Sequence, residues 1–213
     1  EQLYPGSGFR MPPEVHEAYI RQLLEAQRGV DEVVVAFQGG EPTLMGLDFF
    51  RRTLELEQRY AAPGQQVLNT LQTNGTLLDD EWGEFLRDNG FLVGVSIDGP
   101  RELHDRYRVD KGGKPTYDRV IAGLDALKRH GVEWNALVTL NAANGDHGRE
   151  VYAFLRDELG ATFLQLIPIV EHMEGALASD RSISGAQYGR FLIDVFEEWA
   201  RHDVGDVFVT MFD

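Results

Sequence analysis

The stretch Phe91-Leu92-Val93-Gly94-Val95-Ser96-Ile97-Asp98-Gly99-Pro100 decides the fold class of this chain. Residues 91–97 form a short apolar run with β-branched residues, closed by the turn formers Asp98, Gly99 and Pro100. Such a run reads as a buried strand. Just upstream, residues 79–89 carry helical spacing and end at Gly90, which suits a helix C-terminus. Asp79 and Asp80 stand where carboxylates can cap residues 81–86. Downstream, residues 117–130 repeat the helical pattern and Gly131 closes it.

The same rhythm runs outward in both directions. Strand-like runs recur at 33–37, 66–71, 134–140, 162–170 and 207–212. Between them lie helical patterns at 12–27, 47–60, 148–159 and 184–202, the third ending at Gly160. In the first helix Val15, Tyr19, Leu23 and Leu24 fall near one face. Phe37, Phe91, Trp134 and Phe163 sit in strand-like runs and are expected in the core. Alternating strand and helix predicts an α/β fold with a parallel sheet and right-handed crossovers. An open doubly wound sheet and a barrel share this rhythm. In either, chemistry belongs at the C-terminal ends of the strands.

Composition narrows the function classes. The 213 residues suffice for one α/β domain with a sizeable core, and 43% hydrophobic with 26% charged is ordinary for a globular chain. No apolar run approaches the roughly 20 residues of a membrane span, and no signal-peptide pattern occurs. A soluble, cytoplasmic domain is expected. The formal charge of −15 repels phosphate backbones and anionic surfaces, so neither nucleic acid nor membrane is an expected partner. Cysteine is absent, which excludes disulfides and thiolate metal sites within these residues.

Polar residues cluster at the strand ends. Gln38-Gly39-Gly40-Glu41-Pro42-Thr43 follows the first run. Its glycines allow a ligand close to the backbone, and Pro42 holds Glu41 extended; a tight βα turn is the competing reading. Gln72-Thr73-Asn74-Gly75 is a ligand contact or an ordinary Asn-Gly turn. Ser96 and Asp98 alternate onto one face, and two polar residues on a buried face point to a site. Glu102, His104, Asp105, Arg106 and Arg108 make a dense charged loop, solvated in the ordinary case. If the loop folds over the strand ends, Arg108 can clamp a carboxylate. No phosphate-loop, zinc or nucleophile-elbow spacing occurs. His16, His130, His147 and His202 are expected at the surface, while His104 and His172 lie nearer strand ends without obvious partners.

Taken in order, these segments resemble the anaerobic sulfatase-maturating enzymes, which are radical S-adenosylmethionine proteins. The resemblance rests on residues 36–44, Ala-Phe-Gln-Gly-Gly-Glu-Pro-Thr-Leu, on residues 72–77, Gln-Thr-Asn-Gly-Thr-Leu, and on residues 91–100. The 103–108 order Leu-His-Asp-Arg-Tyr-Arg and the late run 163–168, Phe-Leu-Gln-Leu-Ile-Pro, complete it. It runs nearly end to end.

The resemblance implies a partial (β/α)6 TIM-like barrel over residues 1–213. A first strand and a C-x-x-x-C-x-x-C loop would precede Glu1, and a C-terminal SPASM domain with auxiliary clusters would follow Asp213. It implies S-adenosylmethionine and 4Fe–4S clusters as cofactors, the cluster ligands lying outside these residues. The implied reaction is radical oxidation of a Cys or Ser in a sulfatase polypeptide to formylglycine, with an electron donor such as flavodoxin or ferredoxin. Gly39, Gly40 and Glu41 would meet the methionyl amine, Ser96 and Arg108 its carboxylate, and Val170 the adenine. Gln38, Asn74 and Asp98 are neighbours, and no catalytic acid or base is implied here. Competing readings are another SPASM-type peptide modifier, forming a thioether or crosslink, and a noncatalytic α/β ligand-binding scaffold without clusters.

Overall fold

A computed structural model describes residues 10–171 and 179–212. The chain forms two compact units, Glu1–Leu71 and Gln72–Asp213.

The first unit opens with α1 (Pro13–Ala26), whose proline start is preorganised for a helix. Its buried stripe is His16, Ile20 and Leu24, spaced four apart. Val15 and Tyr19, expected on that face, are exposed instead. His16 turns inward because its ring stacks on Phe49 at 4.1 Å and its Nε2 meets Thr53 Oγ1 at 2.9 Å. Strand β1 (Glu32–Phe37) alternates exposed and buried residues, placing Val33 and Val35 in a core with Ile20, Leu24 and Leu56. A single tight turn at Pro42–Met45 leads into α2 (Leu47–Tyr60). Strand β2 (Gln66–Thr73) begins in this unit and pairs parallel to β1, from Glu32 with Gln66 to Phe37 with Leu71.

Besides His16–Thr53, a further buried polar contact interrupts this apolar interior. Asn69 Nδ2 of β2 donates to Glu57 Oε2 of α2 at 3.0 Å, with both residues 5% exposed. Their other oxygens, Glu57 Oε1 and Asn69 Oδ1, have no hydrogen-bond partner among the described residues. Burial raises the Glu57 carboxyl above its ordinary value.

The second unit holds α3 (Asp80–Asp88), β3 (Leu92–Ser96), α4 (Arg101–His104), α5 (Tyr117–His130), β4 (Trp134–Leu140), α6 (Gly148–Ala153), β5 (Phe163–Pro168), α7 (Gly185–His202) and β6 (Phe208–Val209). Asp79 caps α3 as expected, accepting from Trp82 N at 3.0 Å. Ser184 and Gln187 form a reciprocal capping box on α7. The 148–159 helix changes its winding at Phe154–Glu158, a wide π-helical turn. β3, β4, β5 and β6 pair parallel in that order.

β5 stops at Pro168 and β6 spans two residues, so the expected strands 162–170 and 207–212 are shorter than read. Phe212 N folds back onto Val209 O at 2.7 Å, which ends pairing there. Phe91 is buried, Phe37 packs against the first core and Trp134 is half-buried, whereas Phe163 is 37% exposed. The parallel α/β architecture matches the alternation in the sequence.

Candidate functional site

The strand-end residues separate between the units. In the first, Gln38 and Gly39 border an apolar cleft of about 260 Å³ with His16, Tyr19, Phe37, Met45 and Phe49. Gly39 and Gly40 adopt φ of 88° and 63°, and a Cβ at either would meet no atom within 4 Å. Their backbone is therefore open to an incoming group, and only glycine holds this conformation without strain. The Glu41 carboxylate is engaged locally: Oε1 accepts from Thr43 N at 3.1 Å and from Thr43 Oγ1 at 2.6 Å. The Glu41 carbonyl accepts from Leu44 N at 3.2 Å.

In the second unit, Asn74, Ser96 and Arg108 line one cleft of about 300 Å³ with Thr76, Tyr107 and Thr116. Asn74 shapes its own turn, its Oδ1 accepting from Thr76 N at 2.9 Å and Thr76 Oγ1 at 2.7 Å. Gly75 follows with φ of 72°. Helix α5 packs on this turn through Gly123, where an added Cβ would collide with the Gly75 carbonyl oxygen.

A second cleft of about 190 Å³ shares Arg108 and is bordered by Asp98, Thr139, Asn141, Ile169 and Arg181. Here the expected carboxylate clamp exists, but the carboxylate is internal. Arg108 Nε donates to Asp98 Oδ2 at 2.7 Å, and Nη2 donates to Asp98 Oδ1 at 3.0 Å and to Thr139 Oγ1 at 2.8 Å. Thr139 N also donates to Asp98 Oδ1 at 2.8 Å. Asn144 Nδ2 holds the Asp98 carbonyl at 3.0 Å and the Thr139 carbonyl at 2.9 Å. Asp98 is thus buried with its charge paired and its lone pairs engaged, as a buried carboxylate requires.

The charged loop is not solvated throughout. Asp105 Oδ1 accepts from Thr116 N and Tyr117 N at 3.0 and 2.9 Å, tying the loop to the start of α5. Glu102 and Arg106 remain exposed. His104 is 1% exposed and does have partners, contrary to expectation: Asp98 N at 3.3 Å from Nδ1 and Thr116 Oγ1 at 3.1 Å from Nε2. Burial lowers its pKa to about 4. His147 and His202 are exposed and His130 is half-buried; His172 lies outside the described residues. Val170 follows β5 by two residues and is exposed.

Thr116, Thr139, Asn141 and Asn144 escaped the sequence reading. A threonine near the end of an apolar strand followed by Asn141-x-x-Asn144 was the available signal. Asn144 Oδ1 accepts from Asn141 N at 2.8 Å, and Asn141 Oδ1 accepts from Ala143 N at 2.9 Å, so the two amides brace the turn after β4.

A resident iron–sulfur cluster does not fit these residues. There is no cysteine, and no group of three or more His, Asp or Glu among the described residues could hold a metal ion. Each unit by itself offers groups to a polar ligand: an open glycine backbone at Gly39 and Gly40 in the first, and a cleft with Asn74, Ser96 and the Arg108 guanidinium in the second. No described helix is long and apolar enough to cross a membrane.

The profile of the Radical SAM superfamily matches residues 3–155. A serine-type anaerobic sulfatase-maturating enzyme of Bacteroides thetaiotaomicron is 42% identical over 95% of this chain and 52% of its own length. A cysteine-type enzyme of Clostridium perfringens is 36% identical over 89% of this chain and 50% of its own. The chain spans about half the length of the curated relatives it matches. The structure of native anSMEcpe with bound AdoMet and Kp18Cys peptide superimposes with a TM-score of 0.86 at 34% identity. That match covers 95% of this chain and 56% of the other, and it identifies the α/β fold as the partial barrel expected from the sequence.

Proposed function

The chain belongs to the Radical SAM superfamily, and on that premise we propose that residues 1–213 are the S-adenosylmethionine-binding core barrel of a sulfatase-maturating oxidoreductase. Its reaction is the oxidation of a Cys or Ser of a sulfatase polypeptide to formylglycine. The observation that carries this reading is the 42% identity over 95% of the chain to a serine-type maturating enzyme. The likeness to a relative bound to AdoMet and a peptide supports both the cofactor and the substrate class.

In this reading the backbone of Gly39, Gly40 and Glu41 receives the methionyl amine. Ser96 and Arg108 receive the carboxylate, and Val170 borders the adenine. Gln38 and Asn74 flank the ligand, while Asp98 acts through Arg108 by fixing its direction. The 4Fe–4S ligands come from residues other than these 213. A 4Fe–4S cluster held elsewhere would supply the electron that cleaves S-adenosylmethionine, itself reduced by a donor such as flavodoxin or ferredoxin. This chain's own work is to bind, orient and keep water away.

The test is anaerobic incubation of the full-length, cluster-reconstituted protein with S-adenosylmethionine, reductant and Cys- and Ser-containing sulfatase peptides. Mass spectrometry should find the aldehyde at the target residue. Cofactor cleavage without aldehyde, or a thioether or crosslink in its place, would reject the sulfatase assignment.

A further inference from the structure

His104 occupies the centre of a hydrogen-bonded chain whose proton positions can be worked out from its fixed ends. Thr116 Oγ1 has one hydrogen, and it is donated to the Arg108 carbonyl at 2.7 Å. Toward His104 the hydroxyl can therefore only accept, so Nε2 must carry a hydrogen across the 3.1 Å contact. At the other side of the ring, Asp98 N–H is a donor that cannot reverse, so Nδ1 must present a lone pair. Two independent ends require the same neutral tautomer.

The chain is directional: Asp98 N–H to Nδ1, Nε2–H to Thr116, Thr116 O–H to Arg108 O. His104 also accepts from Arg108 N through its own carbonyl at 3.0 Å. It thus touches the backbone of both residues whose side chains form the buried ion pair.

We propose that His104 is a positioning residue for cofactor binding, a neutral imidazole that sets Asp98 and Arg108 in register so that the Arg108 guanidinium faces its cleft correctly. The link to S-adenosylmethionine rests on the function proposed above; the tautomer and the register do not. An imidazole suits the role because it places an acceptor and a donor on opposite sides of one rigid ring. Asn supplies the first alone and Gln the second. Protonation would aim Nδ1–H at Asp98 N–H and break the chain at its start. The charged groups facing the ring are Asp98, Arg108 and Asp105, and Tyr117 lies edge-on at 5.9 Å. The Asp98 and Asp105 charges favour the imidazolium, yet burial outweighs them.

The experiment uses the full-length holoprotein, labelled with ¹⁵N-histidine and ¹⁵N-arginine. His104→Asn assigns the His104 signals by difference, and Thr116→Ser and Thr116→Val test the relay. The expected spectrum is the neutral Nε2–H form at neutral pH. Thr116→Ser should keep S-adenosylmethionine affinity within about threefold, while Thr116→Val and His104→Asn weaken it by about tenfold or more. Thr116→Val should also shift the Arg108 Nε resonance, and it should lower the melting temperature because His104 Nε2–H and the Arg108 carbonyl lose their shared partner. An Nδ1–H tautomer or a charged ring at neutral pH would overturn the proposal. So would Thr116→Val that binds as wild type and leaves Arg108 Nε in place. If Thr116→Val does not fold, the tautomer and the contrast of His104→Asn with Thr116→Ser decide. Wild-type protein that binds no S-adenosylmethionine would instead reject the function beneath this inference, and the spectrum and the Arg108 shift would still decide the register.

Discussion

Arg108 closes a two-point fork on Asp98, Nε to Oδ2 at 2.7 Å and Nη2 to Oδ1 at 3.0 Å, around a carboxylate 2% exposed. The pair spans the loop after β3 and is braced from β4 by Thr139. A buried carboxylate stripped of its cation is costly, whereas a partly exposed arginine can turn to water. Arg108→Ala should therefore destabilise by about 3 kcal/mol, and Asp98→Asn by less. Urea unfolding of both variants checks the order. In the full-length protein Arg108→Ala should also weaken S-adenosylmethionine binding while leaving cluster content intact; unchanged affinity would remove Arg108 from the site.

Glycine at 123 has no substitute. A Cβ there collides with the Gly75 carbonyl, a backbone atom that cannot swing aside. Gly123→Ala should cost roughly 1–3 kcal/mol and loosen the Asn74 turn. Gly189 of α7 meets nothing within 4 Å, so Gly189→Ala should stabilise by about 0.5–1 kcal/mol. Opposite shifts in melting temperature are the expected result, and equal shifts would contradict the packing.

The Glu57–Asn69 contact makes a pH prediction for the first unit. Burial raises the Glu57 carboxyl above its ordinary 4.5. A raised acid binds its proton more tightly in the fold. Its contribution is full below the unfolded value and is lost as pH rises through the folded one. A proton on Oε1 also gives the orphan Asn69 Oδ1 a donor, completing an acid–amide pair. Glu57→Gln reproduces that pairing without titrating. It should match wild type in acid and exceed it in stability near neutral pH; a parallel pH dependence would exclude the protonated carboxyl.

His104 has the opposite sign. Its folded pKa of about 4 lies below the ordinary 6.5, so its contribution is present above the unfolded value and is lost as pH falls toward 4. The loss is of order 3 kcal/mol. Unfolding free energies of wild type and His104→Asn should converge on acidification. Curves that stay apart would place the ring outside the titrating set.

What the sequence made legible was periodic or local. Strand and helix alternation, the Asp79 cap and the helix-ending glycines Gly90, Gly131 and Gly160 lie within a few residues of what they govern. What it hid depends on distant partners. His16 reads as a surface histidine until Thr53 and Phe49, far along the chain, turn it inward, and this also moved the buried face of α1 away from Val15 and Tyr19. Arg108 was legible as a clamp on a carboxylate, but not that Asp98 supplies one. His104 looked partnerless because Thr116 stands on the far side of a loop. β6 was overread because apolar residues continue after pairing ends.

The bonds that anchor Asp98 from β4 and its following turn join residues 41 and 46 positions apart. Contacts of that span repay their closure entropy only after the intervening chain is ordered, whereas the caps of α3 and α7 close over three residues. In refolding, the Thr139 amide should therefore gain protection against hydrogen exchange later than the Trp82 amide. In the proposed site, the cleft beside Asp98 therefore closes after the helix ends of its unit, so that local architecture precedes the specificity that the cleft would confer.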